Sequence, residues 1–469
     1  MESSRQSPVD PFTLKPNFSI LQILKVVFNA MWLFPLRLLF IILPSMIVGF
    51  SLTFIIGCCY RQCEPPEPMR GWRRWLKDKV QPWVARWFLF GMGFQYIEVK
   101  GYLRSAAEVP ILIVAPHSTI LDTFIMSVFT LPSAVVKEEA RHIPLFGRAA
   151  DTLLQLIFVR RGEQESREYT VREIRRRAES KGDWPHVLIY PEGTTTNAKC
   201  VIAYKRGAFV PGLPIQQVLF RHTNHHNTIV WAERGVGVLL TLFLTVCQFH
   251  NRLAIEFLPP YYPSEEEVAD PLVYAKNMQE RAAEHLGVPA TKHSYEDVRL
   301  LNMAQRLGLP YTTGIVEFDW LKSQTKFTFE EVRSLLERYC HMNVSRNNHL
   351  TSLEMATHLN IDPDTSSKLH GILQSESYQG DDGLSFSHYV LGLGKIAKPL
   401  ATSDQFTTDL FKTLDHTGKG VITLSDIHQS SLPWSPRHFD DMNYDQFKQF
   451  LLNNLEYVAL AKITSNEQQ

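Results

Sequence analysis

Hydrophobic residues form one unusually long run near the start of this chain of 469 residues. Residues 38–60 carry no charge over 23 positions, lie between Arg37 and Arg61, and are long enough to span a bilayer. Pro44 lies inside the run and Pro35 just before it, so we expect a kinked span or a hairpin. Six basic residues follow the run closely and two precede it, which favours a cytosolic catalytic domain by the positive-inside rule.

Shorter apolar runs further along the chain are suited to the buried strands of a sheet. The runs at 111–115 and 187–190 each lead into a proline, and polar residues follow at once. The segments SAVVKEE, LIFVRR and GLPIQQVLF predict further strands, with a turn and a helix between the first two. The apolar stretch 236–249 is short for a membrane span and predicts a buried or interfacial helix.

The first of these strands carries candidate chemistry at its end. His117 follows Pro116, and Asp122 comes five residues later. Five positions on an ideal helix rotate a side chain by about 140°, so the two residues would not share one helix face. We therefore expect His117 in the turn before a helix and Asp122 in its first turns, where the carboxylate can accept the imidazole N–H. The other ring nitrogen could then accept a proton, which makes His117 a candidate general base.

The second strand repeats this arrangement, because Pro191 is followed by Glu192, Gly193 and three threonines. A glycine here lets the backbone approach a ligand, and the hydroxyl and N–H groups can receive a phosphate or another polar group. The two strand ends are expected to converge on one site.

In this order, HSTILD, LIFVRR, YPEGTTTN and GLPIQQV resemble the four sequence blocks of the glycerophospholipid acyltransferase family. Within it, the N-terminal apolar segment, CQFHNRLAIEFLPPYYPSEEE and the C-terminal region most resemble the lysophosphatidylcholine acyltransferases. The resemblance implies an α/β acyltransferase domain with a central, mostly parallel sheet, an N-terminal membrane segment and a C-terminal α-helical, EF-hand-like region.

The same resemblance implies transfer of an acyl group from acyl-CoA to the free hydroxyl of a lysophospholipid, with lysophosphatidylcholine as the expected acceptor. The alternative within the family is another acceptor or donor, such as lysophosphatidic acid, or an ether lysolipid with acetyl-CoA. The alternative outside enzymes is a calcium-responsive membrane adaptor whose acyltransferase domain is inert.

Binding residues follow from the resemblance as well. Arg161 stands where the family has the arginine that receives the acceptor's phosphate, a task suited to a planar, permanently charged group. Glu192, Gly193 and Thr194 would hold the phosphate and glycerol region. The segment CVIAYKRGAF resembles a further strand, in which Lys205 either neutralises a phosphate or lies at the rim of the site.

The implied mechanism needs one positioned base, because a thioester is already activated. His117, oriented by Asp122, would take the hydroxyl proton as that oxygen attacks the thioester. Oxyanion donors are expected among the backbone N–H groups near the helix start after His117. The six cysteines form no metal-binding pattern, and no cofactor is expected beyond acyl-CoA as co-substrate.

The C-terminal region contains eroded calcium-binding frames. In the frame that begins at Asp415, Lys419 occupies a ligand position and Asp426 stands where a bidentate glutamate is needed. The frame 343–354 has asparagine at its first and sixth positions, and the frame 377–388 lacks the final acid. EF-hand-like helix pairs are therefore expected, with calcium regulation as the less favoured alternative.

Charge, composition and segment order predict the partners and the domain organisation. With 48 basic and 48 acidic residues, the chain favours no nucleic acid partner, and the expected partners are the membrane, acyl-CoA and the lysophospholipid. Tryptophans and cations alternate over 72–96, as in a segment that lies in the head-group layer. We predict an anchor over 1–80, the acyltransferase domain over 81–305, the EF-hand-like region over 306–460 and a tail over 461–469. The resemblance implies the endoplasmic reticulum membrane, with the Golgi or lipid droplets as alternatives.

Overall fold

The computed structural model describes residues 9–14, 18–57, 66–142, 146–160, 164–222, 228–375, 383–416, 418–430, 432–434 and 440–467. The chain divides into two compact units, Met1–Thr291 and Lys292–Gln469. The sequence predicted a boundary after residue 305, whereas the division falls ahead of the helix Tyr295–Arg306. That helix contributes Leu300 and Ala304 to the hydrophobic core of the second unit.

The first unit combines helices with one sheet. Its helices are α1 (Ile20–Arg37), α2 (Leu43–Gly57), α3 (Gly71–Gly91), α4 (Asp122–Met126), α5 (Phe146–Leu154), α6 (Gln164–Ala178), α7 (Val238–Val246), α8 (Glu265–Ala269) and α9 (Pro271–Leu286). Its strands are β1 (Ile97–Lys100), β2 (Ile111–Ala115), β3 (Ser133–Lys137), β4 (Ile157–Val159), β5 (Val187–Ile189), β6 (Ile215–His222) and β7 (Leu253–Phe257).

The sheet confirms the predicted mostly parallel α/β arrangement. Within the described ranges its seven strands follow the order β1-β7-β6-β2-β5-β3-β4, and the β6–β7 pair is the antiparallel one. β2 is apolar at every position because both of its faces are covered: Leu112 and Val114 join one buried cluster, and Ile111 and Ile113 join another. Since β2, β5 and β6 are parallel neighbours, their carboxyl ends lie together at one edge of the sheet.

The N-terminal apolar run is helical throughout its described part. A single helical run covers Ile20–Gly57, 38 residues, which by length and composition is able to cross a membrane. The predicted hairpin is not found within this run, because the chain stays helical past Pro44. A π-helical turn, Leu38–Ile42, precedes that proline, which has no N–H for the helical ladder.

Helix α3 presents an aromatic surface, as the pattern over 72–96 predicted. Trp72, Trp75, Trp83 and Trp87 are 57%, 63%, 77% and 56% exposed. Lys77, on the same helix, is only 2% exposed. One side of the helix therefore exposes tryptophan side chains to solvent or to a membrane, and Lys77 is a buried cation.

The stretch 200–209 is not the strand that the sequence suggested. It makes an isolated bridge between Val201 and Ala290, and a 3-10 turn follows at Arg206–Ala208. Its backbone amides pair with loop carbonyls instead of strand partners: Val201 N–H donates to Pro289, and Lys205 N–H donates to Pro191.

The second unit consists of short helices and one two-stranded ladder. Its elements are α10 (Tyr295–Arg306), α11 (Phe318–Thr325), α12 (Phe329–Met342), β8 (His349–Leu350), α13 (Ser352–Leu359), α14 (Pro363–Ser375), β9 (Leu384–Ser385), α15 (Phe386–Gly392), α16 (Lys398–Ala401), α17 (Asp404–Leu414), α18 (Leu424–Gln429), α19 (Tyr444–Asn453) and α20 (Leu455–Glu467). β8 pairs antiparallel with β9, and Ile422 makes an isolated antiparallel bridge with Met442. Both pairings join loops that lie between helices.

Candidate active site

The site is built on the carboxyl ends of neighbouring strands. β2 ends at Ala115, and the chain turns through Pro116 into His117. β5 ends at Ile189, and Tyr190 and Pro191 lead into the second polar loop. The loops are joined directly, because the N–H of Thr196 donates to the carbonyl oxygen of His117 over 2.8 Å.

His117 and Asp122 are in contact. Nδ1 of His117 lies 2.7 Å from Oδ2 of Asp122, which opens α4. Asp122 is fully buried, whereas the His117 side chain is 20% exposed. Because the carboxylate accepts the Nδ1–H, Nε2 is left as the proton-accepting nitrogen. The expected geometry is present, and the catalytic roles of the two residues stay predictions.

The same carboxylate oxygen organises the loop that follows His117. The N–H groups of Ser118 and Thr119 donate to Oδ2 of Asp122 over 3.1 and 3.3 Å. These two amides were expected as candidate oxyanion donors, but they are already engaged by Asp122. Burial alone would raise the pKa of Asp122, and the hydrogen bond from His117, together with neighbouring His222, outweighs it and lowers that pKa.

Tyr190 holds the imidazole from one face. Its ring stacks on that of His117 with centroids 4.1 Å apart and an angle of 25°. Its hydroxyl lies 2.8 Å from Oγ1 of Thr123, on α4. The sequence suggested no role for Tyr190 beyond its place in the strand, although it is the first residue of the block YPEGTTTN. Stacking on Tyr190 and the hydrogen bond to Asp122 together restrict how the His117 ring can rotate.

Glu192 lies under the site, fully buried. Its Oε2 accepts the backbone N–H of His117 over 2.9 Å, and its Oε1 accepts the N–H of Ile202 over 3.4 Å. Burial raises the pKa of this carboxyl to about 8. The predicted contact between Glu192 and the acceptor stays a prediction, and the observed contacts are to the backbone of two loops.

Gly193, Thr194 and Lys205 lie together beyond the end of β5. Gly193 has φ 70°, a conformation that favours glycine, and a Cβ there would meet Cε of Lys205 at 3.1 Å. Lys205 is exposed and Thr194 is partly buried. The structure thus brings Lys205 alongside the glycine loop, and their contacts with substrate stay predictions.

Arg161 lies outside the described residues. The strand that leads to it, β4, ends at Val159 and is parallel to its neighbour β3. β3 is in turn parallel to β5. The strand before Arg161 therefore ends at the same edge of the sheet as β5.

A contact between the N-terminal segment and the threonine loop was not predicted. The Asn197 side chain donates to the carbonyls of Asp10 and Thr13 over 2.7 and 2.9 Å. Phe12, between them, is completely buried. Residues far apart in the chain thus hold the end of the threonine loop.

His222 is a further residue that the sequence did not single out. It is the last residue of β6, its side chain is 3% exposed, and its Nε2 lies 3.8 Å from Oδ1 of Asp122. No motif spacing could have found it, since strand pairing brings it beside Asp122. Among the described residues, no group of three or more His, Cys, Asp or Glu side chains could hold a metal ion.

Comparisons with known proteins show which family the chain resembles. The family model described as Acyltransferase matches residues 96–216. Lysophosphatidylcholine acyltransferase 2 of Danio rerio is 34% identical over 468 residues, covering 96% of this chain and 87% of that protein. Lysophosphatidylcholine acyltransferase 1 of Homo sapiens is 34% identical over 458 residues, covering 90% and 84%. The crystal structure of the 1-acyl-sn-glycerophosphate acyltransferase PlsC from Thermotoga maritima aligns with 56% of this chain and 97% of that one. Its TM-score of 0.35 and 16% identity are too low to bear on function.

Proposed function

We propose that this chain, an acyltransferase that belongs to the family of the lysophosphatidylcholine acyltransferases, transfers an acyl group from acyl-CoA to the free hydroxyl of a lysophospholipid. Lysophosphatidylcholine is the proposed acceptor, because it is the acceptor in the names of the relatives that match almost the whole chain.

The observation that carries the proposal is the contact between His117 and the buried Asp122 at the sheet edge. With Nδ1 donating to the carboxylate, Nε2 accepts the proton of the acceptor hydroxyl as that oxygen attacks the thioester carbon. The C–S bond then breaks, and the proton passes from His117 to the departing sulfur, so that free CoA and the diacyl lipid result. General-base assistance of this kind is worth about 10²- to 10⁴-fold in rate.

The polar loop beside His117 is proposed to bind the acceptor's phosphate and glycerol region. Gly193 offers backbone without a Cβ, and Thr194 and Lys205 offer a hydroxyl and a cation. Arg161 is proposed to receive the phosphate, as in the family. Glu192 supports this loop from beneath through its bonds to backbone amides.

The proposal places the enzyme at a membrane. Large apolar side chains on α1 are exposed, among them Ile20 (77%), Leu21 (76%) and Met31 (75%). Exposed apolar surface of this extent is suited to lipid. Both substrates are amphiphiles, so an anchored enzyme would meet them at the bilayer surface. The endoplasmic reticulum membrane is proposed, with the Golgi or lipid droplets as alternatives and the site on the cytosolic side.

The second unit is proposed to be EF-hand-like and to need no calcium. In its loop at Asp415, the carboxylate accepts the N–H groups of Lys419 and Gly420 over 3.0 and 2.7 Å. The degenerate ligand set of this loop disfavours calcium binding, with Lys419 at a ligand position and Asp426 in place of a bidentate glutamate. Acyl transfer should therefore be equal in a calcium chelator and in millimolar calcium, and stimulation by calcium would contradict this proposal.

The test is acyl transfer by microsomes that express the full chain, using labelled acyl-CoA and a panel of lysophospholipids. His117→Ala should lower transfer to lysophosphatidylcholine by about 100-fold or more. The matched control His341→Ala removes an exposed histidine of the second unit and should retain full activity.

The other outcomes of this assay would contradict the mechanism, the substrates or the function. Equal transfer by wild type and His117→Ala would contradict the mechanism. Transfer only to lysophosphatidic acid or to an ether lysolipid, or only from acetyl-CoA, would replace the proposed substrates. The absence of acyl transfer by the wild type to every lysophospholipid of the panel would contradict the proposed function.

A further inference from the structure

The two oxygens of the Asp122 carboxylate differ in the number of hydrogen bonds that they accept. Oδ2 accepts from His117 and from the N–H groups of Ser118 and Thr119. Oδ1 is buried and has no hydrogen-bond partner among the described residues. A buried carboxylate oxygen without a partner is costly, because it has lost its hydration without replacement.

The atom that faces Oδ1 is Nε2 of His222, at 3.8 Å. Both ring nitrogens of His222 are likewise buried and without a hydrogen-bond partner among the described residues. An imidazole N–H and a carboxylate oxygen are complementary, and a movement of about 1 Å would bring them to hydrogen-bond length. Each group therefore supplies what the other lacks.

The sheet explains why His222 is held at this place. Ala115, the last residue of β2, pairs with Leu219, and β6 then continues for three more residues beside the loop that carries His117. His222 itself pairs with Leu253 of β7, so its backbone is fixed on the other side. Pairing with β7 on one side, and the loop after β2 on the other, place the ring of His222 next to Asp122.

We propose that His222 is a positioning residue for acyl transfer, which holds Oδ1 of Asp122 from the side opposite His117. The site is then a His–Asp–His arrangement, in which one imidazole reacts and the other fixes the plane and the charge of the shared carboxylate. His222 acts through Asp122 and touches no reacting atom. This inference rests on the proposed function.

The test compares two substitutions of His222 in the microsomal assay, with kcat and KM measured for both substrates. His222→Phe keeps a planar aromatic ring but removes the N–H donor, and kcat should fall about tenfold or more with KM within about twofold. His222→Gln can place an amide N–H near the position of Nε2, and kcat should recover to within about threefold of wild type. Equal losses in both variants would overturn the inference, because they would indicate a packing role.

A double-mutant cycle tests whether His222 acts through Asp122. In the Asp122→Asn background, His222→Phe should lower kcat by less than about twofold further, since the charge that it positions is gone. A full additional loss in that background would overturn the inference. Thermal unfolding of the variants reports folding, and His222→Leu replaces His222→Phe should the latter not accumulate.

A matched control is available at the opposite edge of the sheet. His186 is also buried, and it precedes β5 with Nε2 2.9 Å from the carbonyl oxygen of Arg104. His186→Phe should leave kcat of the folded enzyme within about twofold, whereas a loss equal to that of His222→Phe would overturn the inference. An inactive wild type would contradict the proposed function instead, and an active wild type with an unaffected His222→Phe would overturn this inference alone.

Discussion

The free energy of unfolding of the wild type is expected to fall as the pH rises because of Glu192. Replacing Glu192 with glutamine should remove this contribution. The Glu192 carboxyl is fully buried, and burial raises its pKa from 4.5 to about 8. In the unfolded chain this group loses its proton near pH 4.5, whereas the folded protein keeps it until about pH 8. Over that window the unfolded state binds fewer protons, so the free energy of unfolding falls as the pH rises.

The size of the effect follows from the shift of the pKa. Each pKa unit corresponds to about 1.4 kcal/mol, so raising the pH from about 5.5 to about 8 should lower the free energy of unfolding by about 3 kcal/mol through Glu192 alone. Glutamine cannot ionise, and its amide oxygen can still accept the N–H of His117. The variant should therefore lack this contribution.

The assay is thermal unfolding of wild type and Glu192→Gln in detergent at both pH values. The unfolding midpoint of the wild type should fall further between them than that of the variant, and Glu192→Gln should keep most of kcat. Glu192→Leu removes the acceptor for His117 N–H and should lower kcat strongly. An identical pH dependence of the unfolding midpoint in wild type and Glu192→Gln would contradict the assignment of this effect to Glu192.

Three further predictions follow from single contacts. Asp122→Asn can keep an oxygen at the position of Oδ2 but loses the charge beside the imidazole, so kcat should fall about 100-fold or more with little change in KM; an unchanged kcat would contradict the assigned role. Burial lowers the pKa of Lys77 to about 8, so the charged lysine destabilises the folded state below that pH, and this cost disappears toward pH 10.5. Lys77→Met should therefore raise the free energy of unfolding at pH 7 by up to about 3 kcal/mol. A variant less stable than the wild type would contradict this prediction. Gly193→Ala should cost about 1–2 kcal/mol in the free energy of unfolding because of its positive φ; its matched control, Gly207→Ala, has open space and no positive φ, and equal losses would contradict the conformational argument.

Features that depend on neighbouring residues could be predicted from the sequence. Five apolar residues before Pro116 predicted a buried strand, and β2 occupies these positions. The five-residue spacing predicted that Asp122 lies in the first turns of a helix and contacts His117, and His117 Nδ1 lies 2.7 Å from Asp122 Oδ2. Such predictions succeed because hydrophobic periodicity and short loops restrict the local geometry strongly.

Hydrogen bonds between separate loops could not be predicted from the sequence. The family resemblance implied that Glu192 holds the acceptor, which stays a prediction, and the structure shows that this side chain is buried and accepts two backbone N–H groups. The stretch around Val201 was predicted as a strand but pairs with loops. In both cases, hydrogen-bond partners distant in the sequence decided the outcome.

Local sequence was enough to predict the strand-end motifs, the apolar N-terminal helix and the His117–Asp122 pair, because each depends on residues within one helix, strand or turn. The bond from His117 N–H to Glu192, the bonds from Asn197 to Asp10 and Thr13, and the approach of His222 to within 3.8 Å of Asp122 emerged from the folded chain alone. Those positions depend on the order of strands in the sheet. Strand order is set by packing and hydrogen bonds between segments some hundred residues apart, and no local spacing encodes it.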